Sequence, residues 1–203
     1  MSDTKTKILD TALVLFNEQG FSNVSLRDIG KAINMQPGNL AYHFKNTGVM
    51  LEKLYDRMYA EMEQVIRPSG FPDMQRFDAG LRYFYDFQYR YRFFFLDLVE
   101  ITRKHPEIAT RHQETVQKRI GEGTALLYYY AGAGLIGPEG CPGQFEARAH
   151  LIWMIHTFWL AQQRLLSPDS DYDPEPARRA AWEILRPHLT EAGKKTCEAL
   201  LKP

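Results

Sequence analysis

The chain has 203 residues and balances 25 Lys and Arg against 25 Asp and Glu, for a formal net charge of zero. Apolar and charged fractions of 44% and 25% exclude a disordered chain and a polybasic nucleic-acid coat, while a local cationic footprint stays open. Cys141 and Cys197 lack metal or redox spacing and read as free thiols; no signal peptide opens the chain and no apolar run nears the ~20 residues of a bilayer span. The expectation is a cytoplasmic protein that binds no cofactor, no metal and no membrane.

The pattern is helical throughout, with no alternating strand signal, so the expected class is all-α. Helix 1 spans about Thr4–Gln19, burying Ile8, Ala12, Leu15 and Phe16, with Gly20 placed to end it. From Val24 to Phe44 the spacing predicts a helix–turn–helix. Ser25 and Asp28 have the spacing of a capping box, and Leu26, Ile29, Ala32 and Ile33 recur as one apolar stripe. Asn34 tolerates the left-handed conformation of a helix-ending turn, Met35 is the expected buried turn residue, and Pro37 suits a first helical turn. Leu40 and Phe44 then face inward. Gln36, Asn39, Tyr42 and His43 stay outside, as side chains able to reach phosphates and base edges. Periodicity alone fits an ordinary helical hairpin equally well.

A fourth helix is expected over about 47–66, carrying Met50, Leu51, Leu54, Met58 and Met62, and Pro68–Pro72 breaks the chain after it. Further helices are expected at about 74–89, 92–104, 106–133, 145–166 and 176–189, with loops at 134–143 and 167–174. Nine of the thirteen residues from Tyr83 to Phe95 are aromatic. So many rings exceed one helical stripe, and they serve either as core or as the wall of an apolar pocket. The wall candidates are Phe84, Phe87, Phe94, Tyr129, Trp153 and His156. Gly132–Gly137 spells the G-x-G-x-x-G fingerprint of dinucleotide binding. It lacks the preceding strand and the following helix that this chemistry needs, so it reads as a glycine-rich loop.

Residues 5–51 add a resemblance. The run I-L-x-x-A-x-x-L-F from Ile8 to Phe16, then Gly20-Phe21, the helix pair, and Gly38-x-Leu40-x-Tyr42-His43-Phe44 resemble the N-terminal domain of the tetracycline-repressor (TetR) family of bacterial regulators. The resemblance implies a three-helix helix–turn–helix DNA-binding domain, residues 1–46. It further implies a C-terminal helical regulatory and dimerisation domain, residues 47–203, entered through a linker helix at about 47–66. Implied partners are a double-stranded DNA operator, a second copy of the chain and a small-molecule effector. The implied DNA contacts are Ser25, Arg27, Gln36, Pro37, Gly38, Asn39, Tyr42, His43, Lys45 and Thr47.

The chain departs from the family pattern in three places. Ala41 replaces a second aromatic, Gln36 replaces the usual Ser or Thr, and Thr47-Gly48 stands where Lys-Glu is common. The family's lysine there touches a phosphate; here Thr47 offers its hydroxyl and N–H, and Lys45 supplies the charge. The expected function is thus a ligand-responsive repressor that binds a pseudo-palindromic operator as a homodimer. The competing class is a helical-bundle enzyme using the aromatic cavity, against which stands the lack of any clustered catalytic motif. The dimer is expected through 145–166 and 176–189, since Leu151, Ile155, Phe158 and Leu165 give the first of these helices a surplus apolar side.

Overall fold

A computed structural model describes residues 3–66, 70–168 and 172–202, with the side chain of Ile66 outside the description. Parts of the two expected loops, at 67–69 and 169–171, lie outside the described residues. Eleven α-helices follow one another among those described: α1 (Asp3–Gln19), α2 (Leu26–Ala32), α3 (Pro37–His43), α4 (Thr47–Ile66), α5 (Met74–Arg90), α6 (Arg92–Leu96), α7 (Leu98–Lys104), α8 (Pro106–Gly132), α9 (Gln144–Leu166), α10 (Glu175–Leu185) and α11 (Glu191–Leu200). The only extended pairing among the described residues is an isolated bridge between Ile136 and Leu189. The all-α expectation stands.

The described residues of 1–68 and 90–111 form one compact unit, and those of 69–89 and 112–203 form another. In the first, α1 buries Ile8, Leu9, Ala12 and Phe16, and the Phe16 ring packs against Phe21 (5.1 Å) and Phe93 (5.5 Å). Gly20 ends α1 in a left-handed conformation at φ 82°, which a glycine adopts without steric cost. The segment expected as one helix over 92–104 is two. The chain pauses at Asp97, whose carboxylate accepts from the Phe21 N–H (3.1 Å). Close by, Ser22 donates to Glu100 (2.7 Å), and the Asn17 amide donates to the Arg90 carbonyl (2.8 Å) while accepting from the Phe93 N–H (3.1 Å). These bonds tie α1 and its following turn to α6 and α7.

The second unit is built on large buried rings. Phe77 meets Trp182 edge-on at 5.5 Å, and Tyr130 donates from its hydroxyl to the Pro72 carbonyl (3.0 Å). Asp78 sits among them as a buried acid. It accepts from Arg178 Nη1 (2.6 Å) and Trp182 Nε1 (2.8 Å), pinning α10 to α5. Burial of a charge is tolerated only with such pairing. Arg178 also bonds Glu175 twice, at 2.8 and 2.7 Å, and these bonds, with those to Asp78, hold its guanidinium firmly protonated.

The C-terminal part corrects the expected 176–189 helix. α10 stops at Leu185 and a 3-10 turn covers Arg186–His188, because Pro187 has no N–H to continue the ladder. α11, absent from the sequence expectation, then begins at a Thr190 cap that accepts from the Gly193 N–H (3.2 Å). A Cβ on Gly193 would lie 2.1 Å from the Leu135 carbonyl oxygen, so only glycine lets α11 approach so closely. Gly132–Gly137 is the end of α8 and the bend after it, with no helix starting at its last glycine.

Candidate nucleic-acid interface

α2 begins at Ser25 because the side chains of Ser25 and Asp28 satisfy each other's backbone. The Ser25 hydroxyl accepts from the Asp28 N–H (3.3 Å), and Asp28 Oδ2 accepts from the Ser25 N–H (3.0 Å). The Ser25 hydroxyl also donates to Asp28 (2.5 Å), and these bonds hold the Asp28 carboxyl below its usual range. Ser25 is thus engaged in its cap, and a phosphate would compete with Asp28 for its proton. Arg27 is exposed and forms no ion pair among the described residues.

The turn to α3 follows from two residues. Asn34 adopts φ 54°, the left-handed geometry expected of it. The second residue, Gly30, went unnoticed in the sequence: a Cβ there would lie 2.9 Å from the Met35 carbonyl oxygen, and the Met35 N–H donates to the Gly30 carbonyl (2.9 Å). The close crossing of backbone leaves Met35 half-buried, where the expectation had it buried. The α2 stripe is also narrower than expected. Ile29 is buried, Leu26 and Ile33 are half-buried, and Ala32 is exposed.

α3 is set down by Leu40 and Phe44, 0% and 3% exposed, and by Pro37 at its first turn. That anchoring turns Gln36, Pro37, Gly38, Asn39, Ala41 and Tyr42 outward, Tyr42 to 87% exposure. His43 is different. It is half-buried, its ring packs edge-on to Tyr42 at 5.4 Å, and its Nδ1 is shielded from solvent. Lys45 is exposed and likewise unpaired among the described residues. Asn46, which the sequence expectation omitted, caps α4 by accepting from the Val49 N–H (2.9 Å), and Thr47 is half-buried beside it. The signal was a cap-forming residue immediately before a helix.

The proposed pocket residues separate. Phe84 stacks on His156 (4.8 Å) and lies 6.1 Å from Phe87 and 6.2 Å from Trp153, so these four gather in the second unit. Tyr129, also in that unit, stacks on Phe71 at 5.0 Å and is 44% exposed. Phe94 belongs to the first unit, where it packs on Tyr55 at 5.4 Å. No helix among the described residues is long and apolar enough to cross a membrane.

A short helix seated by two buried residues, its polar side exposed beyond a tight turn, defines a helix–turn–helix DNA-binding protein. Comparison with known proteins carries this further. The pattern of bacterial regulatory proteins of the tetR family matches residues 8–54, and that of the TetR bacterial transcriptional repressors matches residues 57–197. The chain belongs to the TetR family of bacterial regulatory proteins. It is 39% identical over 67 residues to the "Probable HTH-type transcriptional regulator YttP" of Bacillus subtilis, a match covering 33% of this chain and 32% of that protein. It is 28% identical over 83 residues, 41% of this chain, to the biofilm operon negative transcriptional regulator IcaR of Staphylococcus aureus, covering 45% of that relative's length. Each match therefore takes in less than half of the relative. A TetR-family transcriptional regulator from Marinobacter aquaeolei shares the fold with a TM-score of 0.88 at 22% identity, over 98% of this chain and 97% of that one.

Proposed function

We propose that the protein is a ligand-responsive repressor that binds a pseudo-palindromic operator as a homodimer and releases it when an effector enters the body. Residues 1–46 are the DNA head and 47–203 the regulatory and dimerisation body, working in the cytoplasm. The observation that carries this reading is the outward face of α3. Gln36 and Asn39 are the base readers with His43 beside them. Ser25, Arg27, Pro37, Gly38, Tyr42, Lys45 and Thr47 serve the phosphate side. His43 contributes through its ring edge, since its Nδ1 is covered. Selection from random duplexes tests the reading. One enriched, two-fold related sequence is expected, and enrichment of none at low and moderate salt overturns it. Loss of Gln36 or Asn39 should cost about 1–3 kcal/mol and relax one position. Loss of Lys45 should weaken all duplexes alike and flatten the salt dependence.

Support for the dimer comes from α9, where Leu151, Met154, Phe158 and Leu165 are exposed large apolar residues spaced by three, four and seven residues, which keeps them on one side of the helix. This seam suits an isologous contact with a second copy. α10 supports it less than the sequence suggests, because Ala177, Ala181, Trp182 and Leu185 point inward and Arg179, Glu183 and Arg186 outward.

The effector site is the gathering of Phe84, Phe87, Trp153 and His156 in the second unit, with Tyr129 as an outlying wall candidate. An effector acts by binding the DNA-incompetent arrangement better, and a tenfold loss of operator affinity takes only about 1.4 kcal/mol of that preference. In the resemblance, α4 carries the change to the head.

A further inference from the structure

Six buried side-chain nitrogen and oxygen atoms lack a hydrogen-bond partner among the described residues, and four of them fall in one seam of the second unit. They are the Tyr85 hydroxyl on α5, His156 Nε2 and Trp159 Nε1 on α9, and the Tyr172 hydroxyl in the loop before α10. Buried polar atoms are paired in the great majority of cases, so four together need an account. Loose packing is not the reason. Gln88, 2% exposed, donates to the His156 carbonyl (2.6 Å) and to the Thr157 carbonyl (3.4 Å), so the two helices are pinned at this level.

The rings around the unpaired atoms are close neighbours. Tyr85, 1% exposed, meets His156 edge-on at 5.3 Å, and Phe84 stacks on that imidazole at 4.8 Å. Trp159 lies one helical turn beyond His156 on α9. Tyr172 stacks on Tyr89 at 4.2 Å, one turn beyond Tyr85 on α5. The seam thus joins aromatic faces to several unsatisfied polar atoms.

The chemistry of those atoms restricts what they can hold. Burial pushes the His156 imidazole down to about 4, so it is neutral at physiological pH, and burial keeps the Tyr85 and Tyr172 phenols protonated. Two O–H groups and one indole N–H are available as donors, and the indole can only donate. Asp86 and Asp173 lie close enough to Tyr172 to repel an anion. No carboxylate bonds the four unpaired atoms, and Asp86 and Asp173 are exposed, so a cation drawn in among those atoms would lose its hydration without a buried counter-charge.

We propose that the α5–α9 seam around Tyr85, His156, Trp159 and Tyr172 binds an uncharged ring compound carrying a carbonyl or comparable acceptor oxygen. The ring lies against Phe84 and its neighbours, and the oxygen accepts from the tyrosine and tryptophan donors. The assignment rests on reading the body as the sensing part of the regulator, and it names the chemical class that part senses.

The test is calorimetric titration of the full chain, without DNA, against four probes: 4-hydroxyacetophenone, ethylbenzene, benzoate and benzyltrimethylammonium. The neutral carbonyl probe should bind saturably and at least tenfold more tightly than the other three. Tyr85→Phe and Trp159→Phe should each weaken it at least fivefold. Unliganded Tyr85→Phe should melt no lower than the parent, because it removes a hydroxyl that no protein group satisfies. Equal binding of ethylbenzene, tighter binding of either ion, or no binding of the carbonyl probe would overturn the proposal. So would a Tyr85→Phe chain that melts several degrees lower. Operator affinity measured with the probe bound is a separate arm. Binding that leaves operator affinity unchanged overturns the sensing reading and leaves the ligand class standing.

Discussion

Replacing Asp78 with alanine removes one carboxylate that serves two buried donors 100 and 104 residues away. Arg178 has 2% of its side chain exposed and Asp78 6%, so their bond is screened little by water. Breaking a buried ion pair from one side costs about 3–5 kcal/mol, and stranding a buried donor such as Trp182 Nε1 costs about 1–3 kcal/mol. The two losses overlap because one group supplies both. Arg178 also keeps its bonds to the partly exposed Glu175, which offsets part of the charge penalty. The net expectation is about 3–4 kcal/mol. Trp153, Trp159 and Trp182 are the three tryptophans of the chain, so tryptophan emission reports the second unit alone. With a slope of about 2 kcal/mol/M, urea unfolding followed by that emission should shift its midpoint down by about 1.5–2 M. The double replacement Asp78→Leu with Arg178→Met should recover the charge part of the loss, because an apolar pair leaves no buried charge to compensate, while the Trp182 Nε1 donor stays unpaired. A shift of under ~0.5 M for the alanine variant, or a double variant weaker than the single, would refute the reasoning.

Four further outcomes are expected. Gly30→Ala should destabilise the helix pair by about 1–3 kcal/mol, through overpacking against the Met35 carbonyl; hydrogen exchange of the α2 and α3 amides checks it, and unchanged protection contradicts it. Asn46→Ala should cost about 1 kcal/mol by uncapping α4, seen as faster exchange at the Val49 amide. Stability should fall with acidity. Burial lowers His112 and His156 from 6.5 to about 4, so the unfolded chain binds protons first. The contribution is intact above pH 6.5 and declines towards pH 4, by at most about 3 kcal/mol for each histidine. Denaturation at pH 7 and pH 5 compares the two, and His156→Phe should flatten the slope. Phe158→Asp, on the exposed seam of α9, should give a monomer mass in sedimentation at micromolar concentration where the parent gives a dimer.

What could be read ahead of the structure divides by distance along the chain. The Ser25–Asp28 box, the left-handed Asn34 and Pro37 at the start of α3 are local chemistry, settled within a few residues, and they stand as expected. Gly30 lies in the same stretch, yet its role depends on where the Met35 carbonyl crosses, which spacing does not reveal. The pause at Asp97 depends on Phe21, 76 residues earlier, and the Asp78–Arg178 pair spans 100. No periodicity carries such pairings. The aromatic run misled for another reason. Phe84 and Phe94 are ten residues apart in one dense stretch, and the boundary between compact units falls between them at Arg90. α11 had a local signal in Thr190-Glu191, but it is short and follows Pro187 closely, and the expected helices ended at 189.

The bonds that Asn17, Phe21 and Ser22 make with Arg90, Phe93, Asp97 and Glu100 bear on how such a protein can be recombined. A chimera that exchanges only residues 1–46 for those of another family member separates each of these donors from the acceptor it was fitted to. The graft would keep the exposed face of α3 and lose the groups that seat the turn before α2. The exchangeable module is therefore discontinuous, pairing the N-terminal helices with residues 90–111. Transplanting operator preference means transplanting α6 and α7 with the head, or reinstating Asp97 and Glu100 in the recipient.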